Sequence, residues 1–110
     1  MWLQRFSLPA GALVCVALLA SPVCAAGVHV RELHAVDVTY APGASSKQHT
    51  HPCAVIGYVL EGAVRERTGN GRKRTYGAGQ SFYEAPNSTH RVSANASSRV
   101  PARFIATFIC

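Results

Sequence analysis

The amino-acid sequence predicts an all-β fold, either a closed barrel or a jelly roll. Short runs of alternating or continuous apolar residues recur along the chain, and turns rich in glycine, asparagine and proline separate them. Beyond residue 26 no run repeats with the period of a helix, and the chain has no internal repeats. Many short strands with regularly spaced turns are typical of this class. The predicted strands cover residues 28–33, 36–40, 49–51, 55–60, 63–67, 72–76, 81–84, 90–94 and 103–109.

The first 26 residues have the pattern of a secretory signal peptide. One basic residue, Arg5, precedes an uncharged apolar stretch over residues 10–20, and the small residues Ala25 and Ala26 suit cleavage. The apolar stretch is short for a membrane span, so a retained anchor is the less favoured alternative. We therefore expect cleavage after Ala25 or Ala26 and export to the periplasm or the exterior. The remaining residues, 27–110, are predicted to form one domain with its core from about residue 40.

The chain is basic, with a formal net charge of +6 at pH 7. A basic balance is compatible with nucleic-acid binding, but the predicted export argues against that partner. We favour a solvated basic surface, with no nucleic-acid partner and no membrane association once the signal is removed. A small molecule is the expected ligand. A homodimer is the expected assembly, because small barrels can pair through their edge strands.

Two histidines separated by one residue, His49 and His51, are candidate metal ligands. Side chains two positions apart in a strand point to the same face, so both imidazoles would lie side by side. A third imidazole from another strand, His90, would complete a facial metal site. The predicted metal ligands are therefore His49, His51 and His90. No side chain stands out as a separate general base, and His29 and His34, which lie outside this pattern, are expected at the surface.

The three histidines lie within two glycine-bounded motifs. The first runs Gly43, five residues, His49-Thr50-His51, three residues, Val55, six residues, Gly62. The second runs Gly79, five residues, Ala85-Pro86-Asn87, two residues, His90. This two-part pattern resembles the two motifs of the cupins, in their small single-domain form. The resemblance implies a jelly-roll barrel, a double-stranded β-helix, whose three histidines bind a divalent transition metal. Fe²⁺ is favoured, with Mn²⁺, Ni²⁺ and Zn²⁺ as alternatives.

The chain departs from the cupin pattern at several positions, two of which bear on the site. Val55 stands where the family usually has a glutamate ligand, so the implied centre has three histidines and no carboxylate from the first motif. Asn87 stands where the second motif has glycine. Because asparagine tolerates the left-handed backbone conformation better than other non-glycine residues, we expect the turn at this position to be kept.

Glu66 is a possible replacement for the missing carboxylate. It alternates with Val64 and would face the barrel interior if Val64 does, either as a fourth ligand or as a partner of a ligand. We favour the alternative, in which Glu66 lies in water between Arg65 and Arg67, because burying a carboxylate is costly. Two tyrosines are weaker candidates, either lining the pocket or packing in the core: Tyr58 and Tyr83.

The resemblance implies a metal-dependent function. Three neutral imidazoles would leave a divalent ion its full charge, which favours an anionic or enolate-like chelating substrate. We interpret the chain as an exported metal-binding cupin of the non-haem oxygenase type, acting on a small anionic or phenolic substrate. Three alternatives stay open: a non-catalytic module that binds a small ligand, an isomerase or lyase that uses the metal as a Lewis acid, and a degenerate cupin without useful metal affinity.

Two cysteines, Cys53 and Cys110, lie outside the predicted signal peptide. In the jelly roll that the resemblance implies, the last strand is antiparallel to the strand over residues 55–60, which would bring these two cysteines together. An exported protein can keep a disulfide. The sequence leaves open whether they form a disulfide or stay as two free thiols.

Overall fold

The computed structural model describes the backbone of residues 13–18 and 21–26, and residues 30–110 with their side chains. The chain divides into two units, Met1–Val30 and Arg31–Cys110. The first contains a two-stranded antiparallel sheet of β1 (Leu13–Leu18) and β2 (Ser21–Ala26). Within the described ranges no helix is long and apolar enough to cross a membrane. Cleavage of the first 26 residues stays a prediction.

The second unit consists of two four-stranded antiparallel sheets. One has the order β3-β10-β5-β8 and the other the order β4-β9-β6-β7. The strand bounds are β3 (Leu33–Tyr40), β4 (His49–Thr50), β5 (Ala54–Glu61), β6 (Ala63–Thr68), β7 (Arg74–Gly77), β8 (Ser81–Glu84), β9 (Thr89–Asn95) and β10 (Ala102–Ile109). The predicted all-β jelly roll is therefore confirmed, and residues 30–110 contain no helix.

The N-terminal edge of this unit differs from the prediction of two strands. Instead of strands over residues 28–33 and 36–40, one strand begins at Leu33 and runs to Tyr40, while residues 30–32 are not in a strand and residues 27–29 lie outside the described part. The cause is pairing with β10, which extends from Ala102 opposite Tyr40 to Ile109 opposite Leu33. β10 ends there, and the next residue, Cys110, donates its backbone N–H to the carbonyl oxygen of Glu32 without extending the strand.

The core lies between the two sheets and is filled by inward-facing residues of alternating positions. In β5 the buried positions are two residues apart, which is the period of a strand with one face on the core. The buried apolar side chains come from both sheets: Val55, Val59, Val64, Phe82, Ala102, Phe104 and Ala106.

Cys53 and Cys110 form a disulfide, so of the two possibilities that the sequence left open the structure confirms the bridge. Their Cα atoms are 4.8 Å apart and 57 residues separate them in sequence. The antiparallel pairing of β5 with β10 brings them together, because Ala54 lies opposite Ile109 at the last register position. The disulfide therefore joins the start of β5 to the end of the chain.

Gly57 is required by close packing between β5 and β8, and replacing it by alanine should destabilise the domain. A Cβ atom at this position would lie far closer to Cζ of Phe82, the residue opposite it in the neighbouring strand, than two carbon atoms can pack. We expect Gly57→Ala to lower the free energy of unfolding by about 1–3 kcal/mol, the usual cost of overpacking a core. Chemical denaturation measures this change.

Gly77→Ala is the matched control for this prediction. A Cβ atom at Gly77 would lie 3.8 Å from the Gln80 side chain, which is an ordinary contact distance. We expect the control variant to unfold at nearly the same denaturant concentration as the wild type. Equal stability of the Gly57→Ala and Gly77→Ala variants would contradict the packing described for Phe82.

Candidate metal centre

The structure brings the three predicted metal ligands together. His49 in β4 lies directly opposite His90 in β9, and His51 follows the end of β4. The ring centroid of His49 lies 5.0 Å from the ring centroid of His90 and 5.7 Å from that of His51. One ring nitrogen from each of the three residues lies within 4.8 Å of the others. His34 is exposed, as expected of a surface histidine, and His29 lies outside the described residues.

The turn before β9 helps to place His51. Asn87 has a φ angle of 60°, so the left-handed turn expected at this departure from the motif is confirmed. The amide N–H of Asn87 donates a hydrogen bond of 3.0 Å to the carbonyl oxygen of His51. The second motif therefore supports the first through the backbone, in addition to supplying His90.

Backbone carbonyls hold the two rings of the first motif. Nδ1 of His49 lies 2.7 Å from the carbonyl oxygen of Lys47, and Nδ1 of His51 lies 3.0 Å from that of Cys53. A carbonyl oxygen can only accept a hydrogen bond, so each Nδ1 must carry the proton. In the neutral ring Nε2 then has a free lone pair, which is the form in which histidine binds a metal.

Glu84 is a buried carboxylate at the site that the sequence reasoning missed. Its side chain is 4% exposed. One carboxylate oxygen lies 2.9 Å from Nε2 of His51, and the other lies 3.2 Å from Nδ1 of His90. Glu84 therefore contacts one histidine from each motif.

Glu66 is also buried beside the histidines, so the favoured expectation that it lies in water is wrong. Its side chain is 5% exposed, accepts a hydrogen bond from Nε2 of His90 and accepts another from the Ser93 hydroxyl at 2.9 Å. The alternation of β6 decides this placement, because Val64 faces the core and Glu66 follows two positions later. Hydrogen bonds to His90 and Ser93 offset the cost of burial that favoured the exposed alternative.

Burial and mutual charge shift the pKa values of this pair. Burial raises the pKa of Glu66 above its ordinary value, although its hydrogen bond to His90 acts in the opposite direction. For His90, burial alone would lower the pKa, but the hydrogen bond and charge of Glu66, together with the charge of Glu84, outweigh it, so the pKa is raised. Both shifts have the same geometric origin, the buried contact between Nε2 of His90 and the Glu66 carboxylate.

The strand period is the signal that could have located both carboxylates. Glu84 follows the buried Phe82 by two positions in β8, just as Glu66 follows Val64 in β6. The same period places the two tyrosines of β5 and β8 on the outer face. Tyr58 and Tyr83 are 46% and 63% exposed, so neither packs in the core, and neither lines the cavity at the histidines.

The three histidines and Glu84 line a cavity of about 310 Å³. Most of its remaining wall is apolar or aromatic, and no lysine or arginine of the described residues lines it. The wall comprises Val36, Val38, Tyr40, Ser46, Val55, Ser93, Phe104, Ala106 and Phe108. A cavity of this size, largely apolar with a few polar groups at one point, suits a small organic ligand.

The donor set fits a divalent transition metal. In their neutral forms two of the three imidazoles would present an Nε2 lone pair to an ion, and two carboxylates lie beside the rings without a lysine or arginine partner among the described residues. His51 donates Nδ1–H to a carbonyl, so its contact with Glu84 through Nε2 needs a second proton. A divalent ion can take the place of such protons, as metals do when they bind histidine and carboxylate ligands.

Comparison with known proteins gives a consistent result. A family model described as a cupin domain matches residues 36–108. The chain is 28% identical to an RmlC-like cupin from Shewanella frigidimarina, with a TM-score of 0.60 and coverage of 71% of this chain and 66% of that one. It is 25% identical to KdgF from a Halomonas species, with a TM-score of 0.63 and coverage of 96% and 83%.

An oxalate oxidase structure in complex with the substrate analogue glycolate shares the fold. It is 23% identical with a TM-score of 0.63, and the match covers 69% of this chain and 41% of that one. The chain thus spans less than half the length of the oxalate oxidase. No curated protein matches the sequence. Because the cupin model covers two thirds of the chain, including both histidine motifs, the chain belongs to the cupin family.

Proposed function

We propose that this cupin binds one divalent transition metal through His49, His51 and His90 and is an oxygenase of the non-haem type for a small substrate. The observation that carries the proposal is the convergence of three ring nitrogens within 4.8 Å at the wall of an apolar cavity. Imidazole ligands suit iron, nickel and zinc, and a neighbouring carboxylate also suits manganese. Fe²⁺ is the favoured ion because the proposed reaction uses O₂.

The residues of the chain would position the ligands and exclude water. The carbonyl oxygens of Lys47 and Cys53 hold two of the rings in a fixed tautomer and orientation. Phe108 packs edge-on against His51, with ring centroids 5.3 Å apart, and would help to exclude water from one side of that ring. A bound metal would supply the Lewis acidity and the redox chemistry that these side chains lack.

Between the anionic and phenolic substrates expected from the sequence, the cavity favours phenolic or enolisable ones. The expectation of an anionic or enolate-like substrate assumed three neutral imidazoles alone. Glu66 and Glu84 lie beside these rings and would offset much of the charge of a divalent ion, which weakens the case for an anionic substrate. No described lysine or arginine in the cavity wall would pair with a second negative charge. A flat, mostly apolar molecule with one ionisable oxygen fits this environment better than a small dicarboxylate does.

Oxygen uptake by the iron-loaded protein tests this function. We expect uptake with catechols, phenolic acids or 1,3-diketones, little or none with oxalate, and none in the His49→Ala variant. A variant of a histidine outside the site, His34→Ala, should behave as the wild type. Substrate binding by calorimetry without oxygen uptake would instead support the binding module, and conversion without oxygen uptake would support the isomerase or lyase.

Export and homodimer formation stay part of the proposal. The homodimer is supported by an outward-facing apolar patch on β5 and β8, which a second copy of the chain would cover. This patch consists of Ile56, Tyr58, Leu60 and Tyr83, all exposed.

A further inference from the structure

We propose that Glu84 is the carboxylate ligand of the metal centre, taking the place of the motif glutamate for which this chain has Val55. The assignment rests on the proposed three-histidine centre and adds a fourth ligand to it. It also assigns the two buried carboxylates different tasks, with Glu84 binding the metal and Glu66 orienting His90.

The register of β5 and β8 places Glu84 beside the position of the motif glutamate. Val55 and Glu84 lie directly opposite each other in these two antiparallel strands, and both side chains are buried. Side chains that face each other across a strand pair have Cβ atoms about 5 Å apart and point to the same side of the sheet. A carboxylate at position 84 can therefore reach the volume that one at position 55 would reach.

Glu84 contacts two of the three proposed histidine ligands. Its two oxygens lie 2.9 Å from Nε2 of His51 and 3.2 Å from Nδ1 of His90, so the carboxylate spans the two motifs. The Nε2 atom of His51 is the metal-binding nitrogen, because its Nδ1 donates to the Cys53 carbonyl. Glu84 thus directs an oxygen at the nitrogen that the metal would bind, and it lines the same cavity as all three histidines.

Glu66 differs from Glu84 in its partners. One of its oxygens accepts a hydrogen bond from the Ser93 hydroxyl and the other accepts one from Nε2 of His90, so Glu66 contacts one of the three histidines where Glu84 contacts two. It lines a separate cavity of about 270 Å³, together with Arg72 and Arg74. Glu66 is therefore a positioning residue for His90, in the way that carboxylates often orient metal-binding histidines from behind.

Cobalt binding to purified variants tests the assignment. We expect Glu84→Gln to weaken Co²⁺ binding in calorimetry by at least about 10-fold and to change the visible absorption spectrum of the bound ion, which reports the ligand set. Glu66→Gln should leave the shape of that spectrum close to that of the wild type, because it removes no ligand. Glu61→Gln, an equal change of charge at an exposed residue, should alter neither property.

An exchange of the two side chains separates a ligand from a hydrogen-bond partner. The double variant Val55→Glu/Glu84→Val keeps the composition and net charge and returns the carboxylate to the motif position. We expect it to recover most of the affinity that Glu84→Val loses. If Glu84→Gln fails to fold, the exchange variant carries the test by itself.

The possible outcomes are distinguishable. If the wild type binds Co²⁺ but Glu84→Gln matches its affinity and spectrum, or if the folded exchange variant binds no better than Glu84→Val, the assignment of Glu84 is overturned and the three-histidine centre stands. If the wild type itself binds no metal, the proposed function and this assignment both fail.

Discussion

Replacing His49 by alanine is expected to weaken binding of a divalent metal by at least about 100-fold, while leaving the fold intact. Loss of a residue that only supports a ligand costs about 10–100-fold in affinity, so loss of a ligand should cost at least as much. His49 is exposed and its Nδ1 donates to the Lys47 carbonyl, so the variant loses little buried surface. Calorimetric titration with Fe²⁺ under anaerobic conditions, or with Mn²⁺, measures the change.

His34→Ala is the matched control for that experiment. Both histidines are exposed residues near the start or end of a strand, but His34 pairs with Glu32 and lies outside the site. We expect the control variant to bind metal as the wild type does and both variants to unfold at the same temperature without metal. Equal metal affinity of the two variants would show that His49 is not a ligand. Two imidazoles would then remain, which are too few for the site described.

Removing the Cys53–Cys110 disulfide is expected to destabilise the domain by about 4 kcal/mol. The bond closes a loop of 57 residues, and in the chain-entropy description a loop of that length is worth this amount. For a domain of this size the loss is a large part of the total stability. Urea denaturation of the Cys53→Ser/Cys110→Ser variant, compared with the oxidised wild type, measures it.

Reductant provides the control for the disulfide prediction. It should lower the stability of the wild-type domain to that of the double variant and leave the stability of the variant domain unchanged, because the variant lacks this bond. A double variant as stable as the oxidised wild type would contradict the prediction. The variant should also bind metal more weakly. The disulfide fixes the segment that contains Cys53, and the carbonyl oxygen of Cys53 orients the ring of His51.

The histidine cluster could be predicted from the sequence because its geometry depends on local rules. The strand period places His49 and His51 on one side, and the motif spacing brings His90 to them through a turn whose shape Asn87 can adopt. Most strands were predictable for the same reason, since apolar alternation and glycine-containing turns are both visible in short stretches of sequence.

The strand period places the two buried carboxylates on inner faces, but the residues that they meet there depend on non-local pairing. Nothing in the spacing of Glu84 indicates that β8 will lie against β5 with Glu84 opposite Val55. Glu66 was misplaced because the arginines on either side of it suggested a solvated strand. In the folded domain the same strand has an inner face, on which His90 and Ser93 receive the carboxylate.

The most direct test of the metal centre is the metal content of the protein purified without chelators, measured by elemental analysis and by native mass spectrometry. We expect about one divalent transition metal ion per chain. The mass of the metal-bound protein should exceed that of the metal-free protein by the mass of the ion minus the protons that the ion replaces. We expect the His49→Ala variant, prepared in parallel, to be nearly free of metal. A wild-type protein that carries no transition metal and takes up none when Fe²⁺, Mn²⁺, Ni²⁺ or Zn²⁺ is supplied would contradict the proposed metal centre.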